Sequence, residues 1–241
     1  MEGCAPRKEC LWAQEYIPVL ERTRLFAGVD KKEIGVLLSC LQARRKQYVK
    51  GEYVLRQGEQ IHQILLLAKG SLLIQQDDYW GNRSIVSRIG EGEIFAEAYA
   101  ASGGETLPHD VAAVEESTVL FLDLNRIFAV CLPACRFHRL VLENLFFAIS
   151  EKNRGLVQKL GYLSRRSIRE KLLAYLSWEA GKKGGPSFSI PFNRQQLADY
   201  LAVDRSAMSR ELCRMRDEGL IRFERNRFTL LQSADNFSSG W

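Results

Sequence analysis

The chain has 241 residues, a net charge of +5 and 46% hydrophobic residues. That length allows one or two domains, and the apolar content is ordinary for a chain that buries a core. No apolar run approaches the roughly 18 residues of a membrane span, the longest strong one being Ile64–Ala68. No apolar leader stands at the N-terminus, so the expected location is the cytoplasm with no membrane partner, where the six cysteines stay reduced.

The first part of the chain reads as strands. From about Lys46 to Leu124, short apolar runs recur at Tyr53–Leu55, Ile64–Ala68, Ser71–Gln75, Ser84–Ile89, Val111–Val114 and Val119–Leu122. Glycines separate them, at Gly51, Gly58, Gly70, Gly81, Gly90, Gly92 and Gly103-Gly104. Regular short strands with turn signals predict a jelly-roll-like β-barrel. Such a barrel holds a small ligand or is simply a packed core.

A helical stretch follows. Leu142, Phe146, Ile149, Asn153, Leu156, Leu160 and Leu163 recur in steps of four and three. This is a heptad seam with one polar member, and a lone Asn at such a position fixes two strands in register. The seam predicts a homodimer; the same pattern also fits a core helix packed on its own barrel.

Residues 193 to 221, NRQQLADYLAVDRSAMSRELCRMRDEGLI, read as two short amphipathic helices joined by a tight turn. Asn193 with Gln196 has capping-box spacing. Leu197, Tyr200 and Leu201 form an apolar face, and the small Ala198 and Ala202 allow a close crossing. Asp204 is the next N-cap, followed by an inner stripe of Met208, Leu212 and Met215, with Cys213 expected to pack. Arg205, Ser206, Ser209 and Arg210 occupy the opposite side, near the helix start that reaches base edges in a DNA-reading helix. By itself this pattern also fits an αα-hairpin with a solvated face. Gly219 ends the second helix, Leu220–Glu224 alternates, Arg225-Asn226 turns, and Arg227–Leu231 returns. With a strand at Ser187–Phe192 this predicts a winged helix-turn-helix, whose wing arginines Arg222, Arg225 and Arg227 are placed over phosphates. Charge divides the same way. From Ser164 onward there are 14 Lys/Arg against 9 Asp/Glu, while the preceding residues hold 20 of each. The whole basic excess sits in the C-terminal module.

Barrel, dimer helix and winged helix-turn-helix, in that order, resemble the CRP/FNR family of bacterial transcription regulators. The resemblance runs from Leu25-Phe26 to about Leu231. It rests on Lys50-Gly51-Glu52, Gly58-Glu59, Gly70, Gly90-Glu91-Gly92-Glu93 and Asn193–Ile221. It implies an α+β chain: a sensor β-barrel over residues 1–135, a dimerisation helix over 136–163 and a winged helix-turn-helix over 164–241. It implies double-stranded DNA and RNA polymerase as partners. Asn193, Arg194 and Gln195 fall where the family grips phosphates, and Arg205, Ser206, Ser209 and Arg210 where it reads bases. Ser206 replaces a common Glu; a hydroxyl is far less selective than a carboxylate, which accepts from cytosine.

The resemblance also implies an effector pocket lined by Gly92, Glu93, Phe95, Glu97, Tyr99 and His109. Cyclic-nucleotide binders of the family use a Gly-Glu pair for the ribose, which Gly92-Glu93 resembles, and an Arg-Ser pair for the cyclic phosphate. Leu107-Pro108 stands at the second place, and neither side chain neutralises an anion. The expected effector is therefore an unknown small molecule other than cyclic AMP. The N-terminal cysteines Cys4 and Cys10 lack the family's iron–sulfur spacing. Cys131 and Cys135, four apart around Pro133, are weighed as a thiol pair, and His62, His109 and His138 as haem ligands; small apolar cysteines and structural histidines are the plainer reading. No cofactor or metal is assigned. Walker, G-x-S-x-G, H-E-x-x-H and C-x-x-C motifs are missing from the sequence. Asp77-Asp78 and Glu115-Glu116 read as turn and strand-end residues. The expectation is an effector-responsive DNA-binding regulator and not an enzyme. The alternatives are a cyclic-nucleotide-like binding module with secondary DNA contacts, or a constitutive DNA binder with an empty barrel.

Overall fold

The computed structural model of the protein describes residues 11–77, 79–80, 83–103, 105–128 and 136–231. Cys4, Cys10, Cys131, Cys135 and the Asp78 half of the Asp77-Asp78 pair lie outside them, as does the His138 side chain. A 3-10 turn at Leu11–Glu15 precedes α1 (Ile17–Leu20) and α2 (Lys31–Cys40). The strands that follow are β1 (Arg44–Tyr48), β2 (Tyr53–Leu55), β3 (Gln63–Lys69), β4 (Leu72–Asp77), β5 (Arg83–Ile89) and β6 (Ile94–Phe95). Then come α3 (Glu97–Ala101), β7 (Asp110–Ala113), β8 (Ser117–Asp123), α4 (Leu124–Phe128) and α5 (Arg136–Leu163). The C-terminal part is α6 (Ile168–Lys183), β9 (Ser187–Ser189), α7 (Arg194–Leu201), α8 (Arg205–Asp217), β10 (Ile221–Glu224) and β11 (Arg227–Leu230). This is the α+β order expected from the sequence.

Two four-stranded sheets, ordered β1-β8-β3-β6 and β2-β7-β4-β5, form the barrel. Strand β3 explains the longest apolar run. Side chains alternate across a strand, so Leu65 and Leu67 enter one core with Leu72, Ile89, Phe95, Val111 and Val119. Ile64, Leu66 and Ala68 enter the other, with Leu120 and Leu122 of β8, Ile34 and Leu38 of α2, and Val141, Leu145 and Ala148 of α5. Both faces of β3 are buried, which is why the run does not alternate. Gly70 turns the chain from β3 to β4 at φ +95, where a Cβ would run into the Glu116 carbonyl and Ser117; only glycine fits. β1 and β6 are not signalled by apolar runs: β1 is the mostly exposed RRKQY, recruited by pairing with β8.

The chain divides into two compact units, one built from the chain up to Gln76 with Val86–Asn153, the other from Asp77–Ile85 with the chain from Arg154 on. In the first, α5 is fixed by Asn144, which is buried and donates from Nδ2 to the carbonyls of Leu25 (3.1 Å) and Ala27 (2.8 Å). The docking face of α5 is Val141, Leu145 and Ala148. The heptad seam is a different face. Leu142 packs partly on the core, but Phe146 is 70% exposed, Leu156 53% and Leu160 67%, with Ile149 and Asn153 also exposed and Leu163 half-buried. The core-facing stripe of α5 is thus not the heptad seam, most of which is exposed among the described residues.

In the second unit, the end of α5 meets α6 and α7 through rings. Tyr162, Tyr175 and Tyr200 contact one another at 5.6–6.1 Å between centroids, and Phe192 lies 4.6 Å from Tyr200. The Tyr162 and Tyr200 hydroxyls are 2.6 Å apart, and burial raises the pKa of both phenols and of Tyr175. Lys159 Nζ lies 4.0 Å from the Tyr200 ring centroid and donates to the Ile85 carbonyl at 3.0 Å. Removal from water lowers its pKa to about 8, because desolvation disfavours the ammonium. Its folded value lies below the unfolded lysine value, so the unfolded chain binds more protons between the two. Stability therefore rises as pH climbs from about 8 toward the ordinary lysine range, and the desolvation cost is fully present below that window. Lys159→Met is expected to raise the unfolding temperature at about pH 7 and to lose that advantage near pH 10. Thermal unfolding of both proteins across this range checks it; a constant difference would mean that Lys159 keeps its water.

Candidate nucleic-acid interface

Local chemistry fixes each end of the two helices. Asn193 caps α7, accepting from Gln196 N–H (2.9 Å), while the Gln196 side chain accepts from Asn193 N–H (3.0 Å). This is the capping box expected from the sequence. The turn after α7 is closed by Ala202 in the left-handed region at φ +50, with its N–H on the Ala198 and Asp199 carbonyls. Asp204 caps α8, its carboxylate accepting from Ala207 N–H at 2.7 Å. Leu197, Ala198 and Leu201 of α7 are buried, as are Met208, Leu212 and Met215 of α8. Ala202 does not serve the helix crossing: it caps α7 and is exposed. Cys213 is also exposed. One residue past Leu212, a further 100° of helical rotation carries it off the buried stripe.

The outward side of α8 has the predicted composition. Arg205, Ser206 and Arg210 are exposed and Ser209 is half-buried. Asn193 and Gln195 are exposed at the entry to α7, where Gln195 Nε2 donates to Asp199 Oδ1 at 2.7 Å. Arg194 is engaged differently. Its guanidinium lies 4.8 Å from the Phe223 ring and 5.1 Å from the Phe228 ring, and burial lowers its pKa. It ties the start of α7 to the wing. The wing is β10 and β11, in register from Ile221↔Leu230 to Glu224↔Arg227, with β9 beside β11. Arg225, at φ +51, makes its tip, and Arg222, Arg225 and Arg227 are all exposed.

The residues expected to line an effector pocket are distributed unevenly. Gly92 and Glu93 form the β5–β6 turn: Gly92 has φ +83, and the exposed Glu93 turns its carboxylate back onto Gly90 N–H at 3.0 Å. Phe95 belongs to the inter-sheet core. The carboxylate drawn inward is Glu97, immediately after Ala96, a left-handed residue at φ +63. Its side chain is 12% exposed and accepts from Lys152 Nζ of α5 at 2.8 and 3.0 Å. Tyr99 and His109 are half-buried; burial lowers the His109 pKa, offset in part by a hydrogen bond to the Pro108 backbone. Leu107 is 4% exposed within the inter-sheet core. Sequence reasoning missed Lys152; its place on the polar side of a long helix carried no signal. Among the described residues no His, Cys, Asp and Glu cluster of three or more could hold a metal, and no helix is long and apolar enough to cross a membrane.

A two-sheet barrel followed by a long helix and a winged helix-turn-helix with an arginine-bearing outer face defines a DNA-binding transcription regulator. Comparison with known proteins agrees. Residues 45–132 match the cyclic nucleotide-binding domain and residues 170–234 the Crp-like helix-turn-helix domain. The chain is 28% identical over 199 residues to the cyclic AMP receptor protein of Thermus thermophilus, covering 82% of this chain and 88% of that one. In fold it resembles the c-di-GMP-responsive global regulator CLP of Xanthomonas campestris, with a TM-score of 0.67 at 15% identity over 85% of this chain and 100% of that one. It also resembles FixK2 from Bradyrhizobium japonicum, with a TM-score of 0.61 at 17% identity over 79% and 93%. The chain belongs to the CRP/FNR family of transcription regulators and carries its helix-turn-helix DNA-binding domain.

The cap of α8 gives a direct check on the local argument. Asp204→Ala is expected to destabilise the C-terminal module by about 1 kcal/mol, the usual value of an N-cap carboxylate, read as a fall in its unfolding temperature. An unchanged transition would mean that α8 does not depend on that cap.

Proposed function

We propose that this chain is a homodimeric, effector-responsive, sequence-specific DNA-binding regulator of transcription. The observation that carries the reading is the side-chain division of α8: Met208, Leu212 and Met215 inward, Arg205, Ser206 and Arg210 outward. α8 enters the major groove, with Arg205, Ser206, Ser209 and Arg210 as its base-reading face. Asn193 and Gln195 at the α7 entry, with the wing arginines, track the phosphates. Arg194 assists chiefly by holding the wing. Ser206 brings a hydroxyl where a carboxylate would select cytosine, so the operator differs from those read through such an acid. Arg210→Ala is expected to cost about 1–3 kcal/mol of operator affinity, measured on a duplex selected by the wild-type protein from a randomised pool. An unaltered affinity would remove Arg210 from the groove.

The dimer is formed along α5. Leu142, Phe146, Ile149, Asn153, Leu156, Leu160 and Leu163 follow heptad spacing, and most of the stripe is exposed in the protomer. Burying it against a second copy is what such a seam is built for. Two-fold pairing presents two α8 helices to half-sites about one helical turn apart. Leu160→Asp is expected to convert the dimer to monomer in sedimentation equilibrium without lowering the unfolding temperature of the barrel. A dimer that survives would place the interface elsewhere.

In the barrel, Glu97, Tyr99 and His109 are the residues proposed to meet an effector, with Gly92, Glu93 and Phe95 shaping the turn and core beside them. The relatives' names include a cyclic AMP receptor and a c-di-GMP-responsive regulator, but Leu107 sits in apolar surroundings where a cyclic phosphate would need a cation. A buried anion without one costs several kcal/mol. The effector is therefore of another chemical class. It acts by binding one state of the dimer better than the other, and RNA polymerase is the partner on which the bound dimer acts.

A further inference from the structure

The first turn of α6 grips both helices of the DNA-reading motif, although no residue of α6 was singled out by the sequence. Its start is rigid. Ser167 caps it, accepting from Glu170 N–H at 3.1 Å, while Glu170 Oε2 accepts from Ser167 N–H at 3.2 Å. From this turn Lys171 Nζ donates to the Leu201 carbonyl at 3.2 Å, at the C-terminal end of α7. Two residues earlier, Arg169 reaches α8 at Glu211 and again at Glu218, the C-cap residue just past its end. Its Nη1 donates to Glu211 Oε1 at 3.3 Å and to Glu218 Oε1 at 3.0 Å, and its Nη2 pairs with Glu218 Oε2. Glu211 is shared with Arg214, whose Nη1 is 3.6 Å from Oε2.

Glu211 and Glu218 are seven residues apart. Two helical turns bring them to one face, about 10 Å apart along the axis. A guanidinium holding both resists rotation of α8 about its own axis and tilting of that axis. The consequence for base reading is geometric. A roll of about 20° moves groups on the rim of a helix by about 2 Å, which breaks a hydrogen bond whose useful range spans only a few tenths of an ångström. We propose that Arg169 is a positioning residue for sequence readout: clamped to Glu211 and Glu218, it sets the roll of α8 and so aims Arg205, Ser206 and Arg210 at the base edges. Facing two carboxylates, Arg169 is committed to α8 and does not serve as a phosphate contact.

This rests on α8 being the helix that reads DNA, and the experiment separates the two claims. Wild-type full-length protein is first used to select an operator from randomised duplexes; failure to select any sequence would sink the reading of α8 itself. Arg169→Ala, Arg169→Lys and the charge swap Arg169→Glu with Glu218→Arg are then titrated against that operator and a scrambled duplex over a series of salt concentrations. Arg169→Ala is expected to bind the operator about tenfold more weakly, equivalent to roughly 1.4 kcal/mol, with affinity for the scrambled duplex within about twofold. The salt dependence should be unchanged, whereas a lost phosphate contact lowers the slope by about one. Arg169→Lys, lacking the planar fork, should fall between. The charge swap should recover most of the operator affinity, and it decides the matter if Arg169→Ala proves unfolded by circular dichroism. Equal loss on both duplexes with a reduced salt slope, no loss on the operator, or a folded swap variant that remains as weak as Arg169→Ala would each overturn the proposal.

Discussion

The structure turns on one helix that carries two apolar stripes. α5 is 28 residues long, and a helix has room for only one stripe against any one partner. Val141, Leu145 and Ala148 are used up against β3 and β8, with Asn144 locking the helix to the carbonyls of Leu25 and Ala27. The heptad stripe is left over. Leaving it in water would expose a run of large side chains that monomeric proteins seldom show. The need to cover it is the physical origin of the proposed pairing, and the proposed pair of half-sites follows from that need.

At its far end α5 finishes among rings. Tyr162, Tyr175, Tyr200 and Phe192 make a small aromatic core of their own. Large flat side chains with polar tips suit this place, since they bury area and still pair one hydroxyl with another. Lys159 adds an ammonium above one of these rings and a bond to Ile85. The C-terminal unit is thus organised from its first turns outward, through tyrosines from three helices and the α6 cations that hold α7 and α8.

Much of this was legible from residues alone. The Asn193–Gln196 capping box, the Asp204 cap, Gly219 and the wing follow from short-range rules, and short-range chemistry is what a sequence displays directly. The outward face of α8 followed from helical period. What escaped was long-range. Strand β1 has no apolar signal because its order comes from β8. Glu97 was not distinguished from Glu93, since both follow a small residue; only the fold shows that one carboxylate caps its own turn while the other meets Lys152, 55 residues away. Ala202 looked like a crossing residue because small side chains serve both crossings and left-handed caps. Arg169 was invisible for the same reason as Lys152: its partners lie 42 and 49 residues away.

The double burial of β3 bears on where this protein can be cut. The stretch resembling a cyclic nucleotide-binding domain ends at residue 132, before α5 begins, and starts after α2. A fragment with those limits would keep the inter-sheet core but strip the covering from Ile64, Leu66, Leu120 and Leu122. Its central sheet would then present a bare greasy side to solvent and to other copies. The unit recognisable by similarity is therefore smaller than the unit able to fold alone. For this chain the autonomous N-terminal module must take in the N-terminal helices and at least the first half of α5, so the helix proposed to pair with a second copy is also a wall of the barrel.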